Sequence, residues 1–107
     1  KKVEDFESAI SDFTKAIEVR TGFACSYDHR GLVYEKMGDI DRAIADYTAA
    51  LEIAPHNVDA LYHRGSVCLN SGNAAKAMAD FKLLIQFSDA KHPLAVLARQ
   101  RLQLLEQ

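Results

Sequence analysis

The sequence contains no tryptophan, and only two prolines and two cysteines in 107 residues. Proline this sparse leaves long stretches free of the strongest helix breaker. Cys25 and Cys68 are too few and too far apart for a disulfide framework or a zinc site, and a reduced compartment is the simpler expectation. No apolar run approaches the roughly 18–20 residues that cross a bilayer, and no charged-then-apolar leader opens the sequence as given, so no membrane association is expected. An excess of one charge is missing too: 13 Lys and Arg face 15 Asp and Glu, for a net charge of −2 and a pI near 6.1. Nucleic-acid surfaces show as basic faces with a high pI, so nucleic acid is not an expected partner. What is present is apolar: 49% of the residues are hydrophobic, enough for an ordinary core in one domain, which at this length buries roughly two-thirds of the unfolded surface.

The dominant feature is an internal repeat. His29-Arg30-Gly31 returns as His63-Arg64-Gly65, 34 residues on. The same offset carries Gly38 onto Gly72, Ala43 onto Ala77, Asp46 onto Asp80 and Tyr47 onto Phe81. Run backwards, it carries Ala43, Ile44, Asp46, Tyr47, Ala50 and Leu51 onto Ala9, Ile10, Asp12, Phe13, Ala16 and Ile17. A fixed period of this length is the signature of a stacked array, in which no unit buries its apolar face alone.

Each unit divides into two helices. Tyr27, Gly31 and Tyr34 recur at spacings of three and four on one face of a first helix, which Gly38-Asp39 breaks. Ile40, Ala43, Ile44, Tyr47, Ala50 and Leu51 line a second helix that Pro55 ends. Asn57 caps the next first helix, expected over Val58 to Asn70, and after a turn at Gly72-Asn73 the next second helix is expected over Ala74 to Phe87. Pro93 opens a final helix running to about Glu106. Gly31 and Gly65 each cost about 1 kcal/mol of helix propensity relative to Ala, and the expected reason is close approach. Gly31 should meet Ala43, and Gly65 should meet Ala77, with Tyr34, Tyr47 and Phe81 filling the space alongside.

With Tyr27, Gly31, Tyr34, Ala43, Tyr47, Ala50 and Pro55 in one unit, and Leu61, Gly65, Cys68, Ala77, Phe81 and Leu84 in the next, the chain resembles the tetratricopeptide repeat. It departs from that pattern at Cys68, where an aromatic is usual, and at Asp89, where proline is usual. The resemblance implies an all-α fold, an α-solenoid of antiparallel helix pairs: a partial repeat over residues 1–23, repeats over 24–57 and 58–91, and a capping helix over 92–107. Lys1 stands in register with Glu35, so the sequence reads as a fragment of a longer protein in which most of one first helix is missing. An uncovered face of Val3, Phe6, Ile10, Phe13 and Ile17 would then promote self-association or await that segment. At the other end Leu94, Leu97, Ala98, Leu102 and Leu105 should cover the last unit.

Arg30 and Arg64 precede the packing glycines, and Asp12, Asp46 and Asp80 recur in the second helices. The reading is ion pairs tying adjacent helices together. Cys68 reads as a buried small hydrophobe and Cys25 as partly exposed; neither has a base placed to activate it. No phosphate-binding loop, catalytic triad or paired catalytic carboxylates appear, so no enzyme activity and no cofactor are expected. His56 and His92, at the unit junctions, read as surface residues.

In tetratricopeptide domains the first helices line a concave groove. Carried over position by position, the resemblance places Asp28, His29, Leu32, Glu35 and Lys36 in that groove from one unit, along with Cys25. The next unit supplies Asp59, Tyr62, His63, Ser66, Leu69 and Asn70, and the cap adds Val96, Leu97 and Gln100. His29 and His63 would lie on the order of 10 Å apart, as helix packing distances imply. They are read first as donors to a bound peptide and second as pH-sensitive contacts; a metal role is disfavoured, since no further ligand completes a set. One subset of the family clamps acidic chaperone tails with Lys, Asn and Arg. The corresponding positions here, Asp28, His29, Leu32, Asp59 and His63, carry none of these. The expected function is a protein-interaction module, cytoplasmic, whose groove takes a neutral or basic peptide or helix with apolar anchors. The alternatives are a structural spacer in a longer array and, less favoured, a co-chaperone-type or RNA-binding helical repeat.

Overall fold

Three polar side chains spaced 34 residues apart start three helices. Asp5 accepts from the backbone N–H of Ser8 at 3.0 Å, Asp39 from Arg42 at 3.3 Å, and Asn73 from Lys76 at 3.1 Å. Each satisfies a backbone donor that the first helical turn leaves without a partner. The computed structural model describes residues 5–19 and 23–106. Among them run six helices: α1 (Phe6–Val19), α2 (Ala24–Met37), α3 (Ile40–Ile53), α4 (Val58–Asn70), α5 (Ala74–Phe87) and α6 (Pro93–Leu105). The bounds of α4 and α5 are those the period predicts, and no strand occurs among the described residues.

The turns within repeats follow from glycine. Gly38 at φ 85° and Gly72 at φ 92° occupy the left-handed region, which lets the chain reverse in two or three residues. Asp39 N–H then reaches back to Tyr34 C=O at 2.9 Å, and Asn73 N–H to Cys68 C=O at 2.8 Å. Between repeats, Asn57 caps α4 by accepting from Ala60 N–H at 3.1 Å. His92, expected as a plain surface residue, caps α6 instead: its Nδ1 accepts from Leu94 N–H at 3.1 Å, one residue before Pro93.

Each helix packs on its neighbours in sequence, and α2 also touches α4, as α4 touches α6. The backbones of α1, α3 and α5 stay farther apart. Closer packing on the α2–α4–α6 side curves the array toward those helices, which form its inner layer. The Cα radius of gyration, 14.2 Å, exceeds the roughly 13 Å of a spherical domain of this length. The core is correspondingly a stripe, from Ala43, Tyr47 and Val67 through Ala50, Leu61, Phe81 and Leu84 to Ala95, Ala98 and Leu102.

The inner glycines do allow close approach, but the partner differs from the expected alanine. A Cβ on Gly31 would lie 2.7 Å from Cε1 of Tyr47, and one on Gly65 would lie 2.8 Å from Cε1 of Phe81. The aromatic sits one helical turn beyond Ala43 or Ala77 on the same face, and its ring fills the notch that glycine leaves. The capping face also needs correction: Ala95, Ala98 and Leu102 are buried and Leu94 and Leu105 pack on the core, whereas Leu97 is exposed. At the other end Val3 lies outside the described residues. Ile17 is buried, whereas Phe6, Ile10 and Phe13 keep part of their surface exposed.

The expected ion pairs form. Arg30 forks onto Asp46 (Nε–Oδ2 2.7 Å, Nη2–Oδ1 2.8 Å) and Arg64 onto Asp80 (2.9 and 2.8 Å). The remaining Nη1 of each arginine donates to a threonine of the preceding outer helix, Thr14 at 3.1 Å and Thr48 at 3.2 Å. One guanidinium thus joins three helices. The bond from Asp46 outweighs burial and holds the Arg30 pKa above its ordinary value. Asp12, in the same register, is exposed.

Candidate functional site

The inner helices bring the residues expected in the groove onto one side of the array, but several are already engaged. Asp28 of α2 is buried, and its Oδ1 lies 2.9 Å from Nδ1 of His63 on α4, a bond between successive repeats. Glu35 accepts from the Tyr47 hydroxyl at 2.7 Å. Of two carboxylates read from the sequence as groove charge, Asp28 therefore ties successive repeats together and Glu35 ties the two helices of one repeat. Asp59 is the exposed acid of that set, and Lys36 and Asn70, which share a register position, are exposed as well.

His63 stands against several rings and acids. Its ring centre is 5.6 Å from that of Tyr47 and 6.2 Å from that of Tyr62. Burial opposes its protonation, yet the bond to Asp28 and the negative charge of Asp28, Asp59 and Glu35 outweigh burial and raise its pKa. Burial, followed by the bond to Glu35, likewise pushes the Tyr47 hydroxyl pKa far up, so it remains a donor. His29 has a different setting. It is exposed, with its ring 5.7 Å from Phe13.

The apolar members split by depth. Leu32 packs against the Ala43–Tyr47–Val67 cluster; Tyr62 and Leu69 pack against the larger stripe. Tyr62 is also covered by α6: Arg101 Nη2 lies 3.5 Å from its hydroxyl and the guanidinium 6.0 Å from its ring. Ser66 is half-buried, and its Oγ has no hydrogen-bond partner. Cys25 is exposed, as are Val96, Leu97 and Gln100 on α6. Val96 and Leu97, 39% and 38% exposed, occupy the places that Tyr62 and His63 hold one repeat earlier. No cluster among the described residues could hold a metal ion, and no helix there is long and apolar enough to cross a membrane.

Two contacts have no counterpart in the sequence reading. His56, in the turn between α3 and α4, stacks on Phe87 at a centroid distance of 4.0 Å and an interplanar angle of 27°. His92 is the cap described above. Neither residue lies on the recurring faces, so the period carries no signal for them.

The family model for the tetratricopeptide repeat matches residues 29–93, more than half of the chain. The chain belongs to the tetratricopeptide repeat family. No curated protein matches it in sequence. Among solved structures, it is similar to the tetratricopeptide domain of Arabidopsis OM64, at 26% identity and a TM-score of 0.81, covering 92% of this chain and 80% of that one. The first such domain of Spaghetti (RPAP3), solved bound to the HSP90 peptide SRMEEVD, matches with a TM-score of 0.83 at 17% identity over 95% of this chain and 78% of that one. The second tetratricopeptide domain of human RPAP3, solved with the HSP70 peptide SGPTIEEVD, matches with a TM-score of 0.80 at 22% identity over 95% and 82%. At these last two identities the likeness is one of fold. It agrees with the tetratricopeptide architecture seen here: an inner and an outer layer of helices with no strand among the described residues.

Proposed function

We propose that this chain is a protein-interaction module whose concave inner face holds a peptide or helix of a partner protein. The carrying observation is the pair Val96 and Leu97, exposed on α6 in the row that Tyr62 and His63 continue on α4. Apolar side chains left exposed on the inner side of a curved array are natural anchors for a partner's apolar residues.

The charge along the row sets the partner's character. With Asp28 and Glu35 engaged, the exposed acid is Asp59 and the exposed cation is Lys36, while the Arg101 guanidinium lies against Tyr62. The two RPAP3 domains were solved with peptides ending in EEVD. In this chain the positions matched to a carboxylate clamp hold Asp28, His29, Leu32, Asp59 and His63, and His63 is occupied by Asp28. Such acidic tails are therefore disfavoured, and a neutral or basic peptide with apolar anchors suits the row better.

Selection of random twelve-residue peptides on the immobilised chain tests this reading. Enriched sequences should pair Leu, Ile, Phe or Met with Lys or Arg, and Leu97→Glu should abolish their capture while helicity is kept. Fluorescent SRMEEVD should show no saturable binding. Enrichment of acidic sequences, or binding of SRMEEVD that His63→Ala removes, would overturn the assignment of charge. Absence of any enriched peptide would favour a structural spacer.

A further inference from the structure

Arg30 and Arg64 each present one edge of the guanidinium, Nε with Nη2, to a carboxylate: Asp46 at 2.7 and 2.8 Å, Asp80 at 2.9 and 2.8 Å. On the half-buried Arg101 of α6 the same edge meets no acid. Its Nε is buried without a hydrogen-bond partner, and its Nη2 reaches only the Tyr62 hydroxyl, at 3.5 Å, the outer limit of such a bond. The ion pairs among the described residues all use other cations. A second orphan belongs to the same seam. Ser66 stands one helical turn beyond Tyr62 on the same face of α4, and its buried Oγ also has no hydrogen-bond partner. The step from Ser66 to Arg101 is 35 residues, the step that joins Asp28 to His63 between the preceding pair of inner helices, and α4 touches α6. The two orphans do not pair with each other. Buried polar atoms are almost always paired, so two at one seam mark a place for an acceptor brought by another molecule.

We propose that Arg101, Ser66 and the Tyr62 hydroxyl form a subsite for a single carboxylate, an Asp or Glu side chain of the partner segment, which makes the subsite rest on the peptide-holding role of the inner face. The carboxylate takes the Nε–Nη2 edge of Arg101 as Asp46 and Asp80 take theirs, and the Ser66 hydroxyl donates to one of its oxygens. The Tyr62 hydroxyl gives up only a 3.5 Å contact and can itself donate to the newcomer. Because Nε is shielded in the free chain, the guanidinium swings off the Tyr62 ring, 6.0 Å away, as the fork forms.

One carboxylate suits this place and a cluster of acids does not. Asp59 is exposed three residues before Tyr62 on the same face of α4 and repels a second acid. Neither Arg101 nor Ser66 is among the positions matched to a carboxylate clamp, so the subsite is distinct from that device. Leu97, exposed on α6, lies one helical turn before Arg101. The partner's acid should therefore stand about one turn from the apolar anchor that meets Leu97, in a segment that is neutral or basic as a whole.

The test has two arms. In the first, the arginine Nε–H signals of the ¹⁵N-labelled full chain are followed by NMR as sodium acetate is added at constant ionic strength, with acetamide as the uncharged control. Arg101→Gln identifies the signal of that residue. It should shift weakly but saturably with acetate and stay with acetamide, while Arg30 and Arg64, whose forks are filled, should not respond. Ser66→Ala should keep the melting point, since its hydroxyl makes no bond in the free chain, and should weaken the acetate response. In the second arm, twelve-residue peptides are selected on the wild type and on Arg101→Gln. The wild type should enrich one Asp or Glu about a turn from an apolar residue, and Arg101→Gln should lower that preference at least tenfold, equivalent to about 1.4 kcal/mol. The proposal is overturned by an acetate response that does not saturate or that acetamide reproduces, by apolar peptides enriched without an acid, or by an equal preference for acid on Arg101→Gln. A crystal grown with acetate in which only a water bridges Ser66 and Arg101 overturns it too. If neither protein enriches any peptide, the peptide-holding role fails, and the acetate arm alone upholds or overturns the carboxylate subsite.

Discussion

Arg64 and Asp80 face each other as a fork on a carboxylate, Nε to Oδ2 at 2.9 Å and Nη2 to Oδ1 at 2.8 Å, with side chains 11% and 1% exposed. Removing one member strands the other without its partner in a place water does not reach. Asp80→Ala should cost about 3–5 kcal/mol, the range for breaking a buried pair. A pair of buried ions is not in itself a large source of stability, so Arg64→Met with Asp80→Leu should recover much of the loss. Urea unfolding of the single and the double variant checks this. Arg30 is more exposed, at 18%, so Asp46→Ala should be milder than Asp80→Ala.

Gly65 trades helix propensity for contact with Phe81. Alanine there gains about 1 kcal/mol of intrinsic propensity. Its Cβ, however, would lie 2.8 Å from a ring that has no exposed surface and no room to retreat. Overpacking of this kind costs about 1–3 kcal/mol, so Gly65→Ala should destabilise by the larger effect. Combined with Phe81→Leu, it should cost less than the sum of the two single changes, by 0.5 kcal/mol or more, as expected for residues in contact.

The two cysteines should behave as opposites toward a thiol reagent. Cys68 is 2% exposed, and burial, followed by the charge of Asp80, raises its thiol pKa. Cys25 is exposed at the start of α2. With an aromatic disulfide reagent at pH 8, one thiol should react within seconds to minutes. The second should react only as fast as the chain unfolds. Cys25→Ser should remove the fast phase alone.

The helices were legible because a period repeats every determinant together: caps at Asp5, Asp39 and Asn73, turns at Gly38 and Gly72, and apolar faces between them. A period also shows which residues recur in step, which is why the arginines at 30 and 64 and the recurring aspartates could be read in advance as ion pairs between helices. It does not report depth. Ala77 and Phe81 share a face of α5, and only the packing shows that the ring, not the methyl, fills the glycine notch. Contacts between repeats were harder still. Asp28 and His63 are 35 residues apart and occur once, because the acceptor in register for His29 would precede residue 1. The acids of the groove were read as free for that reason. His92 escaped because histidine is not among the residues favoured as helix caps.

The bond between Asp28 and His63 makes one link between repeats sensitive to pH. The folded state raises the His63 pKa, with the acids Asp28, Asp59 and Glu35 around it and the Tyr47 and Tyr62 rings against it. Folding therefore favours the protonated ring. The sign follows from linkage: the contribution is fully present below the unfolded histidine value near 6.5 and is lost as pH rises through the higher folded value. Urea midpoints of the wild type and of His63→Gln, measured from pH 5.5 to 8.5, should differ most at the acid end and converge toward the alkaline end. A glutamine retains a donor for Asp28 without the charge, so the convergence isolates the protonation effect from the loss of a hydrogen bond. Imidazole NMR should show His63 titrating above the ordinary histidine value. A constant difference between the two proteins across this range would mean that the bond to Asp28 is made by a neutral ring and carries no charge dependence.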